Sequence, residues 1–201
     1  MNLKKFDELM GTFHRMHLGQ DPKEWRCFLE FISSYFSNRG EYRPLIVEIG
    51  VWNGIPRRFY EKLLNAEYIG IDLGKPFAPI TIYSEDSVPD IAGDSHSLET
   101  VEKLKTRLNG RPIDLLFIDG DHSYQGVKSD YELYGPLVKH IIAFHDIYGI
   151  DFKTPFPRAV YQFWNEIVEK EKNLPLVIFK KDSLKDHGLQ MGIGLIIKDP
   201  A

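Results

Sequence analysis

Two short segments of this chain bring acids and imidazoles together. Asp119-Gly-Asp-His122 and His145-Asp146 each set a carboxylate beside a histidine, and each follows an apolar run. Carboxylate and imidazole groups at such spacing support two chemistries. Asp121, His145 and Asp146 could hold a divalent cation that acidifies a bound hydroxyl. Alternatively His122 or His145, each next to a carboxylate, could remove a proton near neutral pH, with Asp121 beside them. Three further acids close apolar runs in the same way: Glu48, Asp72 and Asp94. Glu48 leads into Gly50 and Gly54, a turn on which a ligand could lie close to backbone N–H groups. A dinucleotide fingerprint needs glycine at its third and sixth positions, and Trp52 and Ile55 stand there instead. No Gly-Lys-Ser/Thr follows, so a P-loop is also excluded.

These groups must be positioned by the elements between them. Leu45 to Ile49 is continuously apolar apart from Glu48, as suits a strand buried on both faces. Similar runs occur at Tyr68 to Asp72, around Ile91, at Ile113 to Ile118 and at Ile141 to Phe144. Helical spacing separates them at about 55–65, at Leu98 to Leu108 and at about Tyr124 to Val138; Asn109-Gly110 closes the second. Arg158 to Lys170 predicts another helix, and Leu176 to Phe179 with Gly192 to Ile197 a closing pair of strands. Residues 74–90 read as a loop with at most a short element at Ile80 to Tyr83. Upstream, Phe6, Leu9, Met10, Phe13 and Met16 lie at helical spacing. Asp21-Pro22 then caps a helix carrying Trp25, Phe28, Leu29, Ile32 and Phe36 on one face, which Gly40 ends. The repeating β-α order predicts an α/β sheet whose strands end, on one rim, in Glu48, Asp72, Asp94, Asp119 with Asp121, and His145 with Asp146. Ligands in such sheets bind at that rim.

Composition sets the outer bounds. At 201 residues, 43% hydrophobic and 27% charged, the chain makes one ordinary domain. A formal charge of −4 offers no electrostatic reason for a nucleic-acid or membrane partner. The single Cys27 permits no internal disulfide, and residues 1–20 lack a continuous apolar core, so a cytoplasmic location is expected.

The ordered motifs resemble the class I S-adenosylmethionine-dependent methyltransferases. The likeness rests on Glu48-x-Gly50-x-x-x-Gly54, Tyr68-Ile-Gly-Ile-Asp72, Gly93-Asp94-Ser95 and Ile113 to Asp119, in that order along residues 44–198. Phe117-Ile-Asp-Gly-Asp-His-Ser-Tyr124 with Ile142-Ala-Phe-His-Asp146 is similar to a subgroup of small-molecule O-methyltransferases that tailor antibiotics and sugars, often with a divalent metal. The resemblance implies a Rossmann-like fold: a mostly parallel seven-stranded sheet, helices on both faces, an antiparallel last strand and added N-terminal helices. Residues 1–40 would be a lid or an oligomerisation segment, and residues 44–198 the catalytic core. It further implies S-adenosylmethionine as cofactor, held by Glu48, Gly50, Trp52, Gly54, Asp72, Leu73, Asp94, Ser95 and Asp119. Asp72 would take the ribose diol, Glu48 and Gly50 the methionine, and Asp94 and Ser95 the adenine, with His96 nearby. The metal, magnesium or manganese, would sit at Asp121, His145 and Asp146, although relatives carry an acid or amide where His145 stands. The acceptor would be a small molecule enclosed by the N-terminal segment and residues 147–157, with Tyr148, Phe152, Lys153 and Phe156. Two other functions compete: a catalytically silent cofactor-binding protein of the same fold, and a hydroxylase or oxidoreductase component.

Overall fold

The structure, a computed structural model, describes residues 1–12, 19–39, 43–74, 85–148, 159–179 and 191–199. Its elements follow the expected order: α1 (Leu3–Gly11), α2 (Pro22–Ser37), β1 (Leu45–Ile49), α3 (Ile55–Leu64), β2 (Glu67–Asp72), β3 (Ile91–Ala92), α4 (Leu98–Leu108), β4 (Ile113–Ile118), α5 (Tyr124–Tyr134), β5 (Val138–His145), α6 (Val160–Lys170), β6 (Leu176–Phe179) and β7 (Ile193–Ile197). The seven strands form one sheet in the order β3-β2-β1-β4-β5-β7-β6. β1 to β5 run parallel, and β7 lies antiparallel to both β5 and β6. The order in which strands are added to the sheet reverses between β1 and β4, which places a crevice at their carboxyl ends.

Burial follows the alternation of each strand. In β1, Leu45, Val47 and Ile49 face a layer made by α4, α5 and α6, where Leu104, Val127, Phe163 and Trp164 pack. Ile46 faces the opposite layer with Leu115 and Phe117 of β4. That second layer consists of α1, α2 and α3. Trp25 is fully buried there against Phe28, Phe59, Tyr60 and Phe117, and Phe6 of α1 meets Phe59. Each such side chain is worth about 1.5–3 kcal/mol relative to exposure. The apolar stripes of α1 and α2 are therefore spent inside the chain, with Phe6, Leu9, Trp25, Phe28, Leu29, Ile32 and Phe36 all buried. Phe13 and Met16, the other apolar residues expected on that surface, lie outside the described residues, as do His14, His17, His187, Gly40 and Ile80 to Tyr83.

Local signals account for most helix ends. The Asp21 carboxylate accepts from Lys23 N and Glu24 N, with Pro22 in the first turn of α2. Ser97 and Ser123 cap α4 and α5 in the same way. One boundary differs from expectation: α5 stops at Tyr134, a single 3-10 turn spans Gly135–Leu137, and β5 begins at Val138. Pro136 lacks the N–H that a continuing helix needs, so the apolar Val138 joins the sheet. Among the described residues no helix is long and apolar enough to cross a membrane.

Candidate active site

The turn after β1 depends on two glycines. Gly50 has φ +91° and Gly54 φ +72°. A Cβ on Gly50 would lie 2.1 Å from the Asp119 carbonyl oxygen, and one on Gly54 1.9 Å from that of Asp86. Trp52 between them also takes a positive φ of 46°, and its indole is 42% exposed. Such backbone is costly for a large side chain, and Asp72 helps to hold it. Asp72 Oδ2, at the end of β2, accepts from Val51 N at 2.8 Å and Trp52 N at 3.1 Å. Asp72 Oδ1 accepts, among the described residues, from Gly74 N at 3.3 Å. The next residue, Leu73, is 63% exposed on the same rim.

Beneath the turn, Glu48 is 1% exposed and accepts a hydrogen bond from Tyr68 Oη. Burial pushes its carboxyl pKa up to about 8, against the Tyr68 hydrogen bond, so it carries a proton at neutral pH. At the end of β3, Asp94 accepts from His96 N, and Tyr134 Oη donates to the Ser95 carbonyl at 2.7 Å. His96 Nε2 lies 3.4 Å from Asp130 Oδ1, a fully buried carboxylate on α5.

The reaction-side residues converge at the ends of β4 and β5. Asp119 Oδ1 lies 2.9 Å from His145 Nδ1 and 3.2 Å from His122 Nε2. Asp119 Oδ2 accepts from Gln20 Nε2 at 2.9 Å. His122 Nδ1 lies 3.0 Å from Asp146 Oδ2, so its ring bridges the two carboxylates. Burial opposes charge on His122, yet hydrogen bonds to Asp119 and Asp146 raise its pKa to about 10. Burial likewise opposes charge on His145, and the field of Asp119 and Asp146 raises its pKa. The same pairs hold both carboxylates below their ordinary range despite their burial.

One expected member stands apart. Asp121 is exposed, and its carboxylate accepts from Ser123 N at 2.9 Å and Ser123 Oγ at 3.1 Å, tightening the entry to α5. It is Asp119, His145 and Asp146 whose donor atoms lie within 4.8 Å of one another. The structure therefore brings Asp119, and not Asp121, together with His145 and Asp146. The acid two residues nearer the strand is aimed at the rim by β4, while the later one is turned aside by its own Asx turn. Gln20 is a member that sequence reasoning missed, because nothing local marks a contact across 99 positions. His140 lies elsewhere, beside Asp114 and Asp199.

A pH effect on stability follows from the raised groups. His122 binds its proton more tightly folded than unfolded, so its contribution is complete below its unfolded pKa of about 6.5 and is lost as pH rises through its folded value. Glu48 acts in the same direction between about 4.5 and about 8, because the folded state disfavours its anion. The depressed Asp119 and Asp146 matter only at acid pH, where their contribution is lost as pH falls. The urea midpoint is thus expected to drop between about pH 6 and about pH 9; a midpoint that holds or rises over that span would refute the assignment.

The sequence matches the methyltransferase domain family model over residues 47–147. No curated protein sequence matches the chain. Among solved structures, the MycE methyltransferase of the mycinamycin biosynthetic pathway, in complex with Mg and SAH, is 16% identical with a TM-score of 0.59 over 95% of this chain and 53% of its own. The chain thus spans about half the length of MycE. The O-methyltransferase TomG from Streptomyces achromogenes, involved in tomaymycin synthesis and solved with SAM, is 15% identical, with a TM-score of 0.60 over 97% of this chain and 88% of its own. An O-methyltransferase from Bacillus cereus in complex with SAH is 13% identical, with a TM-score of 0.54 over 97% and 91% of the two chains. At these identities the likeness is one of fold.

Proposed function

This chain belongs to the methyltransferase domain family, and from that premise we propose that it transfers the methyl group of S-adenosylmethionine to a hydroxyl of a small-molecule acceptor. The observation that carries the reading is the placement of a glycine turn, braced by Asp72, beside the cluster of Asp119, His122, His145 and Asp146. The similar folds support it: TomG was solved with SAM, and MycE with Mg, SAH and mycinamycin VI. A silent cofactor-binding protein would not need the acid–imidazole cluster, and the turn lacks the glycine pattern of a dinucleotide enzyme.

The residues divide the work. Gly50 and Gly54 let the backbone approach the cofactor, with Glu48 presenting a protonated carboxyl below. Asp72 has a double task, because Oδ2 is committed to the turn and Oδ1 is the oxygen left for the ribose diol. Trp52 and Leu73 offer exposed apolar surface, and Asp94 and Ser95 flank the adenine. Methyl transfer then requires an acceptor oxygen in line with the methyl group and stripped of its proton.

The cluster fits a divalent cation. Its donors are two carboxylates and an imidazole, and a positively charged His122 already sits between Asp119 and Asp146 as a stand-in. A bound cation would supply the Lewis acidity that lowers the pKa of the acceptor hydroxyl. Asp119, His145 and Asp146 would hold it, and the imidazole in the set suits manganese, iron or zinc better than magnesium. His145 is buried and suits a ligand more than a base. His122, with a side chain 30% exposed, is the open member. With its pKa near 10 it keeps its proton at neutral pH, so it can accept another group's proton only after its carboxylates are engaged elsewhere. Of residues 147–157, expected to close over the acceptor, 149–157 with Phe152, Lys153 and Phe156 lie outside the described residues. Tyr148 at their start donates its N–H to the Met191 carbonyl at 2.9 Å. A reducing, cytoplasmic setting would suit the lone Cys27.

Calorimetric titration tests the reading. S-adenosylhomocysteine should bind and NADH should not; failure of S-adenosylhomocysteine to bind at about 1 mM, an affinity of only about 4 kcal/mol, overturns it. Asp72→Ala should weaken that binding roughly tenfold or more and also cost about 1–2 kcal/mol of stability, since two turn amides lose their acceptor. Wild-type affinity in that variant would dismiss the ribose role.

A further inference from the structure

Gln20 precedes the Asp21 cap of α2, but its side chain leaves that helix for the strand ends. It is 4% exposed. Only the amide nitrogen can donate to the Asp119 carboxylate, as it does at 2.9 Å, so Oε1 is the remaining end. That oxygen is buried and has no hydrogen-bond partner among the described residues. Folded proteins rarely leave a buried amide carbonyl without a donor, which makes such an atom beside a ligand site a place where the ligand supplies one.

The neighbouring backbone shows why Gln20 reaches the site. Gly19 has φ +70°, and a Cβ there would come within 3.0 Å of the Trp52 indole. Gly19 therefore lets residues 19 and 20 lie against the turn after β1. That turn is joined to Asp119 as well, through Asp119 N donating to the Ile49 carbonyl at 2.9 Å and the close approach of Gly50. Gln20 thus stands where the turn after β1 and an ionised carboxylate come together. His122 spends both ring nitrogens on Asp119 and Asp146, and His145 spends Nδ1 on Asp119 while its Nε2, like Gln20 Oε1, has no hydrogen-bond partner among the described residues. A ligand group suited to a neutral acceptor beside a carboxylate is an alkylammonium, which brings three N–H donors and a positive charge.

We propose that Gln20 recognises the amino-acid end of the cofactor, with Nε2 holding Asp119 in place and Oε1 accepting a hydrogen bond from the α-ammonium. The inference rests on the S-adenosylmethionine reading above. It is tested by calorimetric titration of S-adenosylhomocysteine and of 5′-methylthioadenosine, which keeps the nucleoside and thioether but lacks the amino acid. Gln20→Met preserves side-chain length and packing while removing both polar ends, and Gln20→Asn keeps an amide that is too short to span. Thermal unfolding identifies which variants fold, and either one suffices. The expected result is a loss of roughly tenfold or more for S-adenosylhomocysteine, the size of one hydrogen bond to a charged group, with methylthioadenosine unchanged. Equal losses for both ligands would reduce Gln20 to a structural prop, and no loss for S-adenosylhomocysteine would also overturn the proposal. Wild-type protein that binds neither ligand removes the cofactor reading itself, and the proposal with it.

Discussion

Asp119→Asn is expected to release His122 and to disable the proposed cation site while leaving the fold in place. Asp119 receives His145, His122 and Gln20 from three separate segments. Its charge is a large part of what holds the His122 imidazolium at a pKa near 10. Asparagine keeps the shape but offers one neutral acceptor where a carboxylate offered two charged oxygens. His122, left with Asp146 as its carboxylate partner, should titrate at a clearly lower pH in a histidine NMR titration, closer to the ordinary value. Affinity for Mn2+, read by electron paramagnetic resonance, should fall roughly a hundredfold or more, because one of three ligands loses its charge. Stability should drop by about 1–3 kcal/mol for hydrogen bonds left poorly matched. A variant with wild-type Mn2+ affinity and an unmoved His122 titration would show that Asp119 is not the hub of the cluster. Asp121→Asn serves as the contrast, since that carboxylate serves the turn before α5 and should leave Mn2+ binding unchanged.

Gly50→Ala should be among the most damaging single changes to the fold, in the same class as Gly54→Ala. The added methyl would stand 2.1 Å from the Asp119 carbonyl oxygen, 2.5 Å from its carbon and 2.8 Å from Gly120 Cα. All three are backbone atoms at the end of β4, so no side chain can swing away to make room. The φ of +91° adds strain that alanine cannot relieve. β1 and β4 would have to part where they meet at the crevice, and the expected cost is more than about 3 kcal/mol. Urea unfolding should show it directly, and S-adenosylhomocysteine binding should be lost in whatever fraction still folds. Gly110→Ala provides the control, because φ is also positive there, at +80°, yet nothing lies within 4 Å of its Cβ position. Equal losses at the two positions would mean that backbone conformation, and not the close approach of β4, sets the cost.

Much of this architecture is legible without coordinates, and the reasons are local. Strands buried on both faces must be largely apolar, so β1, β2 and β4 appear as mostly apolar runs with an acid at or next to the carboxyl end: Glu48, Asp72 and Asp119. Helix caps at Asp21, Ser97 and Ser123 need only a hydroxyl or carboxylate within three residues of its backbone partner. Gly50 and Gly54 likewise announce a turn, and they bound it in the structure, where each lets backbone of another segment come close.

What needed the tertiary structure depends on direction and on distance in sequence. Asp119 and Asp121 are equivalent in composition, but β4 aims the first at β5, while the second folds back onto Ser123. The α1 and α2 stripes could serve a lid, a dimer or a core with the same residue pattern. Phe59, Tyr60 and Phe117 decide for the core by burying Trp25. Gln20 meets Asp119 because α2 packs on the face of the sheet whose rim carries β4, and no sequence window contains that geometry. The charge states of His122 and Glu48 are of the same kind. The sequence determined which titratable groups the rim would carry, because strand ends are local features. The packing of helical layers on both faces of the sheet determined which of those groups meet and which are desolvated, and hence which hold protons at neutral pH.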